Sequence, residues 1–125
     1  MKIVRFLREN LLNVYFFHNK SIGRDCTNGH LFPDIRFDCL YYNLIVEVDE
    51  FQHRGANYKC DERRMYDIIA KLGQPCVFIR YNPDNKKSSK EYLLDRVKYY
   101  LDYKTINIKD TFSMAGLKTE YLFYD

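Results

Sequence analysis

The feature that most constrains this chain is a short apolar run that contains an acid. Leu44–Val48 is rich in β-branched and apolar residues, which is typical of a strand buried on both faces. Glu47 lies within the run and Asp49 follows it. Because a buried carboxylate is costly on its own, such an acid needs a cationic partner, a proton or a metal ion.

A second strand is predicted just before this run. Residues 34–38 alternate polar and apolar side chains, so Asp34, Arg36 and Asp38 share one face. An antiparallel hairpin that turns near Tyr41–Asn43 would bring the acids of both strands together. Two carboxylates about 4 Å apart repel by roughly 1–4 kcal/mol in a wet or semi-wet site. A divalent cation removes that repulsion, and hard oxygen ligands suit Mg²⁺ or Mn²⁺.

Two registers of this hairpin remain open, and they select different acids. A loop centred at Tyr41–Tyr42 places Asp34 opposite Asp49 and diagonal to Glu47. A loop one residue later places Asp38 directly opposite Glu47. The candidate metal ligands are therefore Glu47 with either Asp34 or Asp38.

Length and composition indicate one domain, residues 1–125, with a core at about 1–103 and a tail at 104–125. The apolar fraction of 46% and the charged fraction of 30% are those of a globular chain. There is no apolar run of the ~20 residues that span a bilayer, and no secretory leader. We therefore expect an intracellular protein that is not secreted, with its four cysteines as thiols.

The rest of the chain predicts further helices and strands around the hairpin. They are a helix at 2–13, a strand at Val14–Phe17, a helix from about Asp61 to Gly73, a strand at Cys76–Tyr81, a helix capped by Ser88 or Ser89, and an edge strand at Thr105–Ile108, with 112–124 packed across the surface. The strand–helix–strand order makes 44–49 and 76–81 parallel neighbours. The expected fold class is α/β, with a central mixed sheet flanked by helices.

Four blocks of this sequence resemble the PD-(D/E)XK nuclease superfamily. They are Pro33-Asp34, Glu47–His53, Cys60–Met65 and Phe78–Asp84. Their order and spacing are similar to the branch that contains very-short-patch-repair endonucleases and giant-virus-type restriction-endonuclease-like proteins. The resemblance covers about residues 1–100 and implies a restriction-endonuclease-like core.

The resemblance also implies an activity. It points to a Mg²⁺- or Mn²⁺-dependent DNA endonuclease in repair, recombination or nicking, with Asp34, Glu47 and a backbone carbonyl near Val48 as ligands. For a viral protein it implies the host cytoplasm or nucleus, and cutting both strands would favour a homodimer. The alternatives are an inactive nucleic-acid-binding module of the same fold, an RNA-directed nuclease, or an interaction protein whose acids only pair with Arg36 and Arg64.

The sequence departs from the general family pattern at Asp49, which stands where the family usually has lysine. His53, where this branch carries a histidine, is a candidate general base. Gln52 is a candidate for orienting water or phosphate. Arg64 is a candidate for holding the scissile phosphate. Asp49 itself remains a catalytic candidate for activating the attacking water.

Basic residues flank the acidic centre. Residues 34–62 hold seven acids against three bases, whereas 86–109 hold seven bases against three acids. This distribution fits a metal site with phosphate-binding surroundings. The candidates for contact with DNA are Lys86, Lys87, Lys90 and Lys98, with Lys2, Arg5 and Arg8 as the alternative path. Arg80 is a candidate for orienting Glu47 or contacting phosphate.

Two other candidates come from the sequence. Cys26, His30, Cys39 and Cys60 supply enough ligands for a structural Zn²⁺ site, although no CxxC pair is present. Related nucleases carry an acid on the first helix, and Glu9 is the acid available there, with an ion pair to Arg5 as the alternative.

Overall fold

The described part of the chain is α/β, with a five-stranded mixed sheet flanked by helices. The structure is a computed structural model that describes residues 2–24, 29–49 and 56–124, with only the backbone described at 56–60. The helices are α1 (Lys2–Asn10), α2 (Ala56–Leu72), α3 (Lys90–Leu101) and α4 (Ile108–Thr111), with a 3₁₀ turn at Tyr103–Thr105. The strands are β1 (Phe17–His18), β2 (Ile35–Asp38), β3 (Asn43–Val48), β4 (Cys76–Tyr81) and β5 (Leu117–Leu122).

The strands lie side by side in chain order. The pairs β1–β2 and β2–β3 are antiparallel, whereas β3–β4 and β4–β5 are parallel. The predicted parallel pairing of 44–49 with 76–81 is confirmed. The carboxyl ends of β3 and β4 and the start of β2 therefore meet at one edge of the sheet, called the site edge below.

The sheet buries apolar side chains on both faces. On one face, Leu44, Val46, Val77 and Ile79 belong to a cluster with side chains of α1 and α3. On the other face, Ile45 and Phe78 pack with Met65 and Ile68 of α2. Since side chains alternate along a strand, Glu47 shares the α2 face with Ile45, and Val48 shares the opposite face with Leu44.

Both predicted registers of the β2–β3 hairpin are wrong. Asp38 pairs with Asn43, so the connection is the four residues 39–42. Tyr42 is fully buried, and its hydroxyl donates to the carbonyl of Tyr100. A residue committed to the core in this way cannot lie at the tip of the turn, so Leu40 and Tyr41 are exposed there instead.

The end of the first helix and the start of the second differ from the prediction. The first helix ends at Asn10 rather than at 13, and α2 begins at Ala56, before Asp61. The predicted stop at Gly73 is confirmed, because this residue has a φ of 70° and its N–H donates to the carbonyl of Ile69. Ser89 caps α3 by accepting from the N–H of Tyr92 at 3.1 Å, as expected.

The other strand predictions need correction. The first strand is Phe17–His18 rather than Val14–Phe17. The expected edge strand at Thr105–Ile108 is absent from the described fold, where Asn107 caps α4 instead. The tail supplies β5, which covers the outer edge of β4. Within the described residues, none of the helices has the length and apolarity needed to cross a bilayer.

Candidate functional site

The centre of the site is a contact between Asp34, just before β2, and Glu47 of β3. The N–H of Asp34 donates to Oε2 of Glu47 at 3.2 Å. The N–H of Val48 donates to Oδ2 of Asp34 at 2.8 Å. Each carboxylate is therefore held by the backbone of the neighbouring strand, and the two side chains are fixed at the site edge.

The local sequence explains this arrangement. The β2–β3 register pairs Ile35 with Val46, and its continuation places Asp34 opposite Glu47. Pro33 has no N–H and cannot extend the ladder, so regular pairing ends before it. The amide of Asp34 is then available to a side chain, and Glu47 accepts it.

Arg64 of α2 supplies the positive charge beside Glu47. Its Nη1 donates to Oε1 of Glu47 at 2.5 Å, and its Nη2 donates to the carbonyl of Phe32 at 2.9 Å. The Arg64 side chain is 34% exposed, whereas that of Glu47 is 5% exposed. The guanidinium thus connects a buried acid to the surface and fixes the segment that leads into β2.

The carboxyl group of Glu47 has a pKa near neutral pH. Burial raises its pKa from 4.5 to about 7, and the nearby charge of Asp34 acts in the same direction. The charge and hydrogen bond of Arg64 and the amide of Asp34 lower the pKa but do not cancel the effect of burial. With both acids ionised, Arg64 balances one of the two negative charges, so the pair favours a further cation.

A second polar cluster lies beside this pair and is centred on Asp49. Arg80 of β4 donates to both carboxylate oxygens of Asp49, from Nε at 2.7 Å and from Nη2 at 3.1 Å. Nη2 also lies 3.5 Å from a carboxylate oxygen of Asp61 in α2. The hydroxyl of Tyr124 donates to Asp49 as well. Both members of the Asp49–Arg80 pair are buried and mutually satisfied.

The contacts of this second cluster bear on the roles predicted for Arg80 and Asp49. Arg80 is 4% exposed, and its contacts are with Asp49 and Asp61 rather than with Glu47. Asp49 has its carboxylate oxygens committed to Arg80 and Tyr124. Held by a buried arginine and a tyrosine, this carboxylate is suited to positioning the end of β3.

The remaining candidates are distributed differently. Asp38 pairs with Asn43 at the far end of β2, and one of its oxygens accepts from the N–H of Leu40, so it lies away from Glu47. His53 and Gln52 lie outside the described residues. The DNA-contact candidates Lys86, Lys87 and Lys90 are exposed on the β4–α3 connection and at the start of α3, and Lys98 is exposed two turns further along α3.

The carboxylates of Asp34 and Glu47 are the type of oxygen ligand that a magnesium ion takes. Among the described residues there is no group of three or more His, Cys, Asp or Glu side chains that could hold a metal. Mg²⁺, however, keeps several waters and usually takes only one or two carboxylates from a protein. Asp34 and Glu47 would supply the two carboxylates of such a site.

The zinc ligand set is not assembled by the described part of the fold. Cys39 follows β2, is 4% exposed and packs in the α1-side core, where burial raises the pKa of its thiol to about 11. His30 precedes β2 at the other end, is exposed and contacts Ser21. Cys26 and the side chain of Cys60 lie outside the described residues.

Two contributors to the site were missed in the sequence. Tyr124 gave no signal, because its approach to Asp49 depends on β5, which was not predicted. The Asp49–Arg80 pair did give one, since an acid and a base at the ends of two buried, adjacent strands each require a partner.

Glu9 is exposed on α1, and no ion pair joins it to Arg5 among the described residues.

Comparison of the chain with protein-family models, with curated proteins and with solved structures yields no significant match.

Proposed function

We propose that this protein is a Mg²⁺- or Mn²⁺-dependent endonuclease of the PD-(D/E)XK type that hydrolyses phosphodiester bonds in DNA. The observation that carries the proposal is the contact between half-buried Asp34 and buried Glu47 at the site edge. The motif resemblance picks out the same two acids, and the mixed sheet between helices is compatible with a restriction-endonuclease-like core.

The energetics of the acid pair support a binding role. Burial of Glu47 and its proximity to Asp34 both disfavour the charged form. In a purely structural role, an apolar side chain would stabilise the fold as well as this acid does, because buried ion pairs contribute little net stability. Strongly shifted pKa values of this kind are concentrated at functional sites.

Each residue of the acid pair has a defined role in this proposal. Asp34 and Glu47 would hold the cation, which when bound polarises the phosphate and lowers the pKa of an attacking water. Arg64, one-third exposed beside Glu47, would contact the scissile phosphate and stabilise charge as it develops. Asp49, held by Arg80 and Tyr124, would fix the end of β3.

Proton transfer is assigned to the segment after β3. His53 is the candidate general base, on the strength of the motif resemblance. In that role it acts as a neutral imidazole, so its protonation at low pH would stop the reaction.

The proposal is tested by nuclease assays of the full chain with Mn²⁺ or Mg²⁺ on single-stranded, duplex, nicked and mismatched DNA and on RNA. The expected result is metal-dependent cleavage of DNA that Glu47→Gln abolishes. Glu62→Gln, an exposed change on α2, is the matched control and should cleave normally. Cleavage that survives in Glu47→Gln, or that needs no metal, would refute the proposed site.

A second candidate function is an inactive nucleic-acid-binding module of the same fold. The observation that favours it is the complete pairing of Asp49 with Arg80 and Tyr124, which leaves the usual lysine position without a catalytic group. This candidate predicts DNA binding without cleavage under every metal condition in the same assays.

A further inference from the structure

The first and third helices form the walls of a groove that joins the two basic regions of the sequence. The groove, called the α1–α3 groove here, has a volume of about 470 Å³ and is lined by Lys2, Arg5, Phe6, Glu9 and Lys90. The two alternative DNA paths suggested by the sequence, one on the first helix and one on the approach to the third, therefore meet in one place.

The charge in this groove is mostly positive and accessible. Its lining holds three cations, Lys2, Arg5 and Lys90, against one acid, Glu9. All three cations are exposed, and none forms an ion pair within the described part of the chain. By contrast, Arg64, Arg80 and Arg96 are each held by an acid.

Two features position the cations. The Nζ of Lys90 lies 5.5 Å from the centre of the Phe6 ring, which holds the ammonium group over the groove. Lys2 and Arg5 are three residues apart on α1, so they lie on neighbouring parts of one helix face about 4.5 Å apart along its axis. Arg8 continues this row into an adjoining hollow of about 500 Å³, lined also by His18.

The α1–α3 groove leads to the site edge. It shares Lys2 and Lys90 with a larger hollow of about 880 Å³ that is also lined by Val48 and Tyr81 and by two acids, Asp84 and Glu91. Val48 follows Glu47 directly, and its N–H holds Asp34. The larger hollow lies on the α1 and α3 face and Glu47 on the α2 face, so a bound strand would pass over the edge of the sheet to connect them.

We propose that the α1–α3 groove binds the sugar–phosphate backbone of DNA, with Lys2, Arg5 and Lys90 contacting phosphates on one side of the cleavage site. This inference rests on the proposed nuclease function. It assigns the contact surface to α1 together with the start of α3, rather than to the length of α3. The contacts are to phosphate and carry no base specificity.

The test compares two triple variants with equal loss of charge. The groove variant is Lys2→Gln, Arg5→Gln and Lys90→Gln. The control variant is Lys71→Gln, Lys104→Gln and Lys109→Gln, three exposed lysines near the opposite edge of the sheet. Binding of a fluorescein-labelled 20-base-pair duplex is measured by anisotropy in EDTA across a salt series, after circular dichroism has shown that both variants are folded.

The expected result is a slope of log K against log salt that is smaller by about 2.7 in the groove variant, since each lost phosphate contact removes about 0.9. The control variant should keep the wild-type slope within about 0.5. An unchanged slope in the groove variant, or an equal fall in both variants, would overturn the inference while leaving DNA binding intact. If the wild type binds no DNA at all, the proposed function fails and the surface with it. If a matched RNA duplex binds more tightly and shows the same loss, the surface stands and DNA as the substrate is wrong.

Discussion

The replacement Glu47→Gln should change the pH dependence of stability in a defined direction. In the metal-free protein, burial and Asp34 raise the pKa of Glu47 from 4.5 to about 7. The folded state therefore binds a proton between these two pH values that the unfolded state releases. The stability of the wild type falls as pH rises through this window, because ionisation is easier in the unfolded chain.

The size of the effect follows from the two pKa values. At about 1.4 kcal/mol per pKa unit, the difference between 4.5 and about 7 corresponds to a loss of about 3 kcal/mol above neutral pH. Glu47 is 4% exposed, so solvent screening reduces this figure little. Glutamine keeps the shape of the acid and does not titrate, but its amide nitrogen cannot accept a hydrogen bond, so one of the two bonds from the Asp34 N–H and Arg64 is lost at every pH. The stability of Glu47→Gln relative to the wild type should therefore rise by about 3 kcal/mol between pH 4.5 and pH 8.

The assay is urea denaturation followed by circular dichroism, in EDTA, at pH values from about 4.5 to 8.5 for the wild type and two variants. Glu62→Gln is the control, since its side chain is exposed and should follow the wild-type profile. Parallel profiles for the wild type and Glu47→Gln would refute the reasoning. That result would mean that Arg64 compensates the buried charge fully.

Three further changes test neighbouring parts of the site. Arg64→Met removes the guanidinium that lowers the Glu47 pKa, so this pKa should rise above about 7 in a carbon-13 NMR titration; an unmoved pKa would contradict the ion pair. Tyr124→Phe removes a hydrogen bond to the buried carboxylate of Asp49 and should cost about 1.5–3 kcal/mol in urea denaturation, whereas no loss would show that Arg80 alone satisfies the acid. His53→Ala should slow cleavage roughly 10²–10⁴-fold with metal affinity nearly unchanged, and full activity would exclude a general-base role.

The sequence predicted the α/β class and the parallel β3–β4 pair because those signals are local. An apolar β-branched run followed by a helix with an apolar stripe and a second such run permits few arrangements. The start of α3 was also readable, since Ser89 is a direct capping signal.

The hairpin register was not readable from the strands alone. Both strands alternate in the same way, and a shift in the loop changes which acids meet. The decisive information is the burial of Tyr42 against α3, which is a contact across 58 residues of sequence. The strand β5 was not predictable either, because Lys118, Thr119 and Glu120 give it no apolar pattern. Its Glu120 is stabilised by Arg96 and Tyr100 of α3, which are distant in sequence.

The central claim is that Asp34 and Glu47 together form the catalytic metal site, and the most direct test is nicking of supercoiled plasmid with Mn²⁺ by three matched variants. Asp34→Asn and Glu47→Gln should each abolish nicking. Asp38→Asn, which lies on the same strand but pairs with Asn43 at the far end, should nick at the wild-type rate. Loss of nicking in Asp38→Asn with full activity in Asp34→Asn would contradict the account.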